Sequence, residues 1–166
     1  VLGRRIALAH ALAVGVVLGC ASGKPYAGGV PEPNAEQFQT SVYPMLLRNC
    51  AFSNCHGEAH RFFQVLGPGR NRLDPKQMPG DPATAAEIAL AYDRARSMLI
   101  TGTTLGDSLL LRKPLEASQG GEGHRGVDSA GRNVFASRSD PDYVLLVQWA
   151  FSRNQTPATT AATGKP

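Results

Sequence analysis

The run NCAFSNCHGEAH, residues 49–60, holds two of the chain's three cysteines and two of its four histidines. Cys50 and Cys55 are separated by four residues, and His56 follows the second cysteine directly. On a regular helix, positions i and i+5 point about 140° apart. For both thiols to face one object, residues 51–54 therefore have to bulge out, and Ala51, Ser53 and Asn54 are small or loop-tolerant enough to allow it. Upstream, Asn34 and Gln37 have the spacing of a capping box, and Phe38, Val42, Leu46 and Asn49 recur at helical intervals. This predicts a helix over 35–48 whose apolar face leads into Cys50, kinked or interrupted at Pro44.

Downstream, residues 57–80 contain three prolines and four glycines and keep no periodicity, so an irregular segment is expected, with Phe62, Phe63, Val65 and Leu66 as its core contacts. A helix then starts at Asp81-Pro82 or at a Thr84/Glu87 cap, and Ile88, Tyr92, Ala95 and Leu99 form its inner face. Asp107-Ser108 caps a short apolar segment, Leu109 to Leu111, stopped by Pro114. A glycine-rich loop, SQGGEGHRG, follows at 118–126. The last helix begins at Asp140-Pro141 and turns Tyr143, Leu146, Val147 and Ala150 inward, with Trp149 beside them. The pattern is all-α, with few short helices and long irregular loops. A glycine- and proline-rich middle that cannot build its own core needs something to pack around.

At the amino end, Arg4 and Arg5 precede an apolar run over 6–18 and then Gly19-Cys20. The run is too short to span a membrane and stay there, and its order is that of a secretory signal. Val17-Leu18-Gly19-Cys20 resembles a bacterial lipobox, which implies lipid attachment at Cys20 and an anchor in a membrane outside the cytoplasm. Ala21 and Ser22 follow, with no aspartate, which by the same resemblance favours the outer membrane. The expected organisation is a lipoprotein signal peptide over 1–19, a Gly/Pro-rich tether over 20–33, one domain over 34–154 and a polar tail over 155–166. The net charge of +4 falls to +2 when Arg4 and Arg5 leave, which gives no basis for a nucleic-acid partner.

With Cys20 used by lipid, Cys50 and Cys55 form an isolated pair in an oxidising compartment. Cys55-His56 is the tail of the haem-attachment signal Cys-x-x-Cys-His, here with two extra residues. In that chemistry two thiols add to the two vinyl groups and the adjacent imidazole reaches the iron. A Cys50–Cys55 disulfide closing a short loop is a second reading. Under it the chain is a haem-free lipoprotein acting as a binding or scaffold subunit. A zinc site of Cys50, Cys55, His56 or His60 and one distant ligand is a third, disfavoured because adjacent Cys55 and His56 rarely aim at one tetrahedral ion. A catalytic thiol is poorer still, since a paired exported cysteine is usually oxidised.

The segments CAFSNCHG at 50–57, GDSLLLRKPLE at 106–116, GHRG at 123–126, VF at 134–135 and SDPDYVLLVQWA at 139–150 together resemble a group of exported bacterial monohaem cytochrome c-type domains. The departure is the four-residue spacing. The resemblance implies a cytochrome c-like fold around one covalent haem c, with Cys50 and Cys55 as thioether anchors and His56 as the proximal iron ligand. It points to His124 as the distal ligand, with Met78 in KQMPG as the alternative and Met98 or an open position behind it. His60 reads as a surface or propionate contact. Arg112, Lys113 and Arg125 read as neutralising propionates, steering an acidic partner or forming a solvated surface. Two strong axial ligands favour single-electron transfer between periplasmic or surface redox partners over substrate chemistry, so a non-catalytic carrier is expected rather than an enzyme. An open sixth position would instead admit peroxide or a small gas.

Overall fold

The computed structural model describes residues 28–124 and 133–153. Cys20 with the expected signal peptide, most of the expected tether, Arg125 and the expected tail over 155–166 lie outside the described residues. Among those described the chain is all-α: α1 (Ala35–Gln37), a π turn over Phe38–Val42, α2 (Tyr43–Asn49), α3 (Ala85–Met98), α4 (Leu109–Arg112) and α5 (Pro141–Phe151), with short 3-10 turns between α3 and α4 and after α4. The only pairing of extended chain there is an isolated parallel bridge between Leu115 and Phe135. No helix among them is long and apolar enough to cross a membrane.

The first helix forms where cap chemistry places it. Asn34 Oδ1 accepts from the Gln37 amide at 2.7 Å. Pro44 does not end it. Proline has no N–H and its ring crowds the carbonyl four residues back; the widened π turn just before it, in which the Tyr43 amide bonds to the Phe38 carbonyl, carries the helix through. Phe38 becomes the hub of an aromatic cluster, with ring centroids 5.1 Å from Trp149, 5.3 Å from Tyr92 and 6.3 Å from Tyr43. The start of the first helix and the end of α5 are clasped beside it. Trp149 Nε1 donates to the Asn34 carbonyl at 3.0 Å, and the Asn34 amide donates to Ser152 Oγ at 2.9 Å. On α5, Asp140 caps the Asp142 amide, and Tyr143, Leu146, Trp149 and Ala150 are buried, the expected inner face apart from Val147, which is partly buried.

At α3 the Thr84/Glu87 capping box is complete. The buried line is Glu87, Ala91, Ala95 and Leu99, rotated from the expected face, so that Ile88 and Tyr92 are only partly buried. The cause is an ion pair. Arg72, from the irregular segment, donates to Glu87 at 2.8 and 3.0 Å, to Gln77 Oε1 and to the carbonyls of Met78, Asp81 and Pro82. Both side chains are almost wholly covered. Glu87 also accepts from the amides of Leu73 and Thr84. One carboxylate and one guanidinium thus staple a segment with no secondary structure of its own to the start of α3. Phe62, expected in the core, is 61% exposed and lies under the Arg94 guanidinium, 4.8 Å from its ring centroid. Val65 and Leu66 are buried and Phe63 partly so, as expected.

The Arg72 hydrogen bond holds the Glu87 carboxyl down to about 2, against the opposing effect of burial. A carboxyl lowered on folding contributes stability above its unfolded value, near 4.5, and loses it as pH falls toward about 2. Glu87→Ala is expected to cost about 3 kcal/mol in urea unfolding at pH 7, since it leaves a covered guanidinium unpaired. The gap from the unmodified chain should narrow steadily between pH 4.5 and 2. An unchanged gap across that window would contradict the assignment.

Candidate functional site

Helix α2 ends at Asn49, and Cys50 caps it with its amide on the Leu46 carbonyl. The chain then makes the bulge that the spacing requires. The Cys55 and Gly57 amides both donate to the Phe52 carbonyl, at 2.8 and 3.0 Å, and the His56 amide donates to the Cys50 carbonyl at 3.0 Å. Ala51 is turned into the core while Phe52, Ser53 and Asn54 are exposed. Phe52 lies under the Arg70 guanidinium. Gly57 is required by space, because a Cβ there would run into the Ala51 carbonyl oxygen. The end of α2 is pinned to the start of α5 by Asp142, which accepts from Arg48 at 2.7 Å and from Asn49 at 2.8 Å. Burial acts to raise Asp142, but these hydrogen bonds and the Arg48 charge outweigh it and hold its carboxyl below the ordinary range.

Cys50, Cys55, His56 and His124 all line one cavity of about 410 Å³, within the roughly 300–1,000 Å³ of cofactor pockets. Its walls are mainly apolar: Leu46, Phe63, Met98, Leu109, Leu110, Val134, Phe135 and Leu146. Arg61 and Lys113 are the cations among its lining residues. His56 Nδ1 lies 2.9 Å from the Phe63 carbonyl oxygen. A carbonyl only accepts, so Nδ1 carries the proton and Nε2 of the neutral ring presents a lone pair. Burial lowers the His56 pKa, with the Phe63 bond opposing and His124 and Arg61 adding to the fall, so the ring is held neutral. His56 Nε2 faces His124 Nε2 at 3.5 Å.

His124 is delivered from the other side of the cavity. Its loop leaves α4 and is closed at the base by the Leu115–Phe135 bridge, with the Phe135 amide on the Pro114 carbonyl at 2.9 Å and the Glu116 amide on the Phe135 carbonyl at 3.0 Å. Sequence spacing alone does not find His124, 68 residues from His56; only the resemblance singled it out. Met78 is 65% exposed and does not line the cavity, because its amide and carbonyl are tied to Asp81 and Arg72 and turn its side chain to solvent. Met98 does line it. His60 is exposed. Arg112 and Lys113 both pair with Glu122, at 2.8 and 3.9 Å. The cation at the cavity that the sequence reading missed is Arg61, five residues beyond His56 in a stretch without periodicity.

Chemically, the lining combines apolar walls with two thiols, two imidazoles and two cations. Two imidazole nitrogens about 2 Å from one metal stand about 4 Å apart when they lie on opposite sides of it and about 3.3 Å apart in a tetrahedral site, and the 3.5 Å between His56 and His124 lies between these two values. The residues present are of the kinds that would hold a covalently attached haem: His56 and His124 would bind its iron, Cys50 and Cys55 its vinyl groups, and Arg61 and Lys113 its carboxylates. Both cysteines are free thiols, with no bond between them. Among the described residues, no three His, Cys, Asp or Glu side chains converge as a protein-only metal site, so the zinc arrangement is not formed there. Comparison with protein-family models, curated proteins and solved structures returns no match.

The Cys50 thiol is pushed up to about 12 by burial, then by Cys55 and by the Asp142 carboxylate. At pH 8, iodoacetamide is expected to label Cys50 at least tenfold more slowly in the folded chain than in the urea-unfolded chain, read by peptide mapping, because only the thiolate reacts. Equal rates would contradict the raised Cys50 thiol.

Proposed function

We propose that this chain is a c-type cytochrome that carries single electrons between redox proteins outside the cytoplasm. The observation that carries the reading is the meeting of Cys50, Cys55, His56 and His124 on one apolar cavity. Cys50 and Cys55 would hold the haem covalently, each thiol adding its sulfur to one vinyl carbon and its hydrogen to the other, so that nothing is lost. His56 and His124 would hold the iron through their ring nitrogens. Bound there, the iron supplies a one-electron couple. The protein's part is to hold His56 in the correct tautomer through Phe63, to exclude water with the walls named above and to neutralise acidic groups with Arg61 and Lys113. Two nitrogen ligands give a lower potential than a His/Met pair. The proposed partners are a reduced donor and an oxidised acceptor protein.

The anchor rests on the sequence: the lipobox-like run ending in Cys20 supports lipid attachment and a place on the outer membrane. The cytochrome c-like fold is part of the same proposal. It is supported by the order of a helix, a Cys/His loop, an irregular wrap and a terminal aromatic helix packed on the first.

The test is to export the full chain in a host that matures a control cytochrome c, then record the reduced pyridine haemochrome and the mass of the tryptic peptide 49–61. The expected result is a c-type α band and a peptide heavier by one whole haem. A colourless protein whose peptide is two hydrogens light has a Cys50–Cys55 disulfide and no haem, and overturns the reading.

A further inference from the structure

The segment that carries His124 is held from two directions. Gly120 and Gly123 have φ of +89° and +72°, a left-handed backbone that other residues adopt only with strain. Gly121 lies so close to the Leu115 carbonyl that no side chain fits there. Its amide donates to the Glu116 carbonyl at 3.1 Å, and the Glu122 amide donates to the Arg112 carbonyl at 3.0 Å. The Glu122 carboxylate then straddles two cations of adjacent residues, Arg112 Nη1 at 2.8 Å and Lys113 Nζ at 3.9 Å. So the loop is laid back along α4 by one backbone bond and one two-armed charge clamp, and His124 emerges two residues later with Nε2 3.5 Å from His56 Nε2. Arg112 sits in the last turn of α4, whose Leu109 and Leu110 line the cavity. The clamp therefore ties the distal histidine to the wall of the pocket it serves.

We infer that Glu122, clamped by Arg112 and Lys113, is a positioning residue that keeps His124 on the iron and so sets how readily the sixth position opens to a small neutral ligand. This deepens the haem reading and rests on it. Glu122 touches neither histidine nor cofactor in the proposal. It acts by restricting the loop, and losing it raises the fraction of time that His124 is off. The clamp is about one-third exposed on both sides, so its effect is modest and weakens as salt screens it.

Carbon monoxide binding to the ferrous, full-length holoprotein reads that fraction, because the gas binds only where His124 has left. Glu122→Gln and, from the other side, Arg112→Gln are each expected to bind carbon monoxide roughly two- to fivefold faster than the unmodified chain at low salt. Arg112→Glu combined with Glu122→Arg should bring the rate part of the way back, since the swapped pair is regained while Lys113 then faces a like charge, and high salt should bring the unmodified chain toward the single variants. His124→Ala marks the upper limit. If Glu122→Gln and Arg112→Gln lose thermal stability but bind the gas at the unmodified rate while His124→Ala is much faster, the clamp is merely structural and the inference falls, with the haem reading intact. If His124→Ala is itself no faster, His124 is not the ligand and the inference falls with that assignment. A chain that takes up no haem overturns both.

Discussion

The contact of Phe38 with Trp149, closed by the bond from the Trp149 indole to the Asn34 carbonyl, is the constraint on which the rest of the molecule depends. It brings residues more than a hundred positions apart into one cluster, so α5 lies against the first helical stretch before the site can exist. Burying large aromatic rings contributes several kcal/mol to a domain this small. Tyr92 adds α3 to the same cluster through its edge-on packing with Phe38 and its hydroxyl bond to the Pro33 carbonyl at 2.7 Å. With the three longest helical segments fixed at one end, the other end is free to be shaped by loops. There Asp142 fastens the tail of α2 to the head of α5, and Cys50 emerges at that junction.

The site follows from this division. Helices contribute its apolar walls, and loops contribute its chemistry. His56 sits in a turn whose bulge is hydrogen-bonded within itself, and the Phe63 carbonyl fixes which nitrogen faces inward. His124 arrives on a separate loop, closed at its base by the Leu115–Phe135 bridge. A pocket built this way is lined by two imidazoles and two thiols around a space that side chains alone leave open. In the proposed reading that space is filled by haem, which completes a core that the glycine- and proline-rich middle does not build for itself.

Much of the framework was legible in the sequence because its causes are local. Asn34, Thr84 with Glu87, and Asp140 announce helix starts through bonds spanning two or three residues, and the inner face of α5 follows from its period. The cysteines and His56 were legible because their chemistry is written in adjacent positions. Distant pairings were not. Nothing in the periodicity of α3 shows that Glu87 is buried against Arg72, fifteen residues upstream in an aperiodic stretch. That pair rotates the helix face and, by drawing in the Met78 carbonyl, turns a plausible ligand to solvent. Phe62 and Phe63 are equivalent by hydrophobicity. Only the contact between His56 and the Phe63 carbonyl and ring decides which one faces the site.

The central claim is that His56 and His124 hold one iron between them. Electron paramagnetic resonance of the ferric full-length protein tests it most directly, since two imidazole ligands enforce a low-spin signal and the loss of one converts it to high spin. The account predicts a low-spin signal in the unmodified chain, replaced by a high-spin one in His124→Ala. A high-spin signal in the unmodified chain, or a low-spin one that survives His124→Ala unchanged, would contradict it.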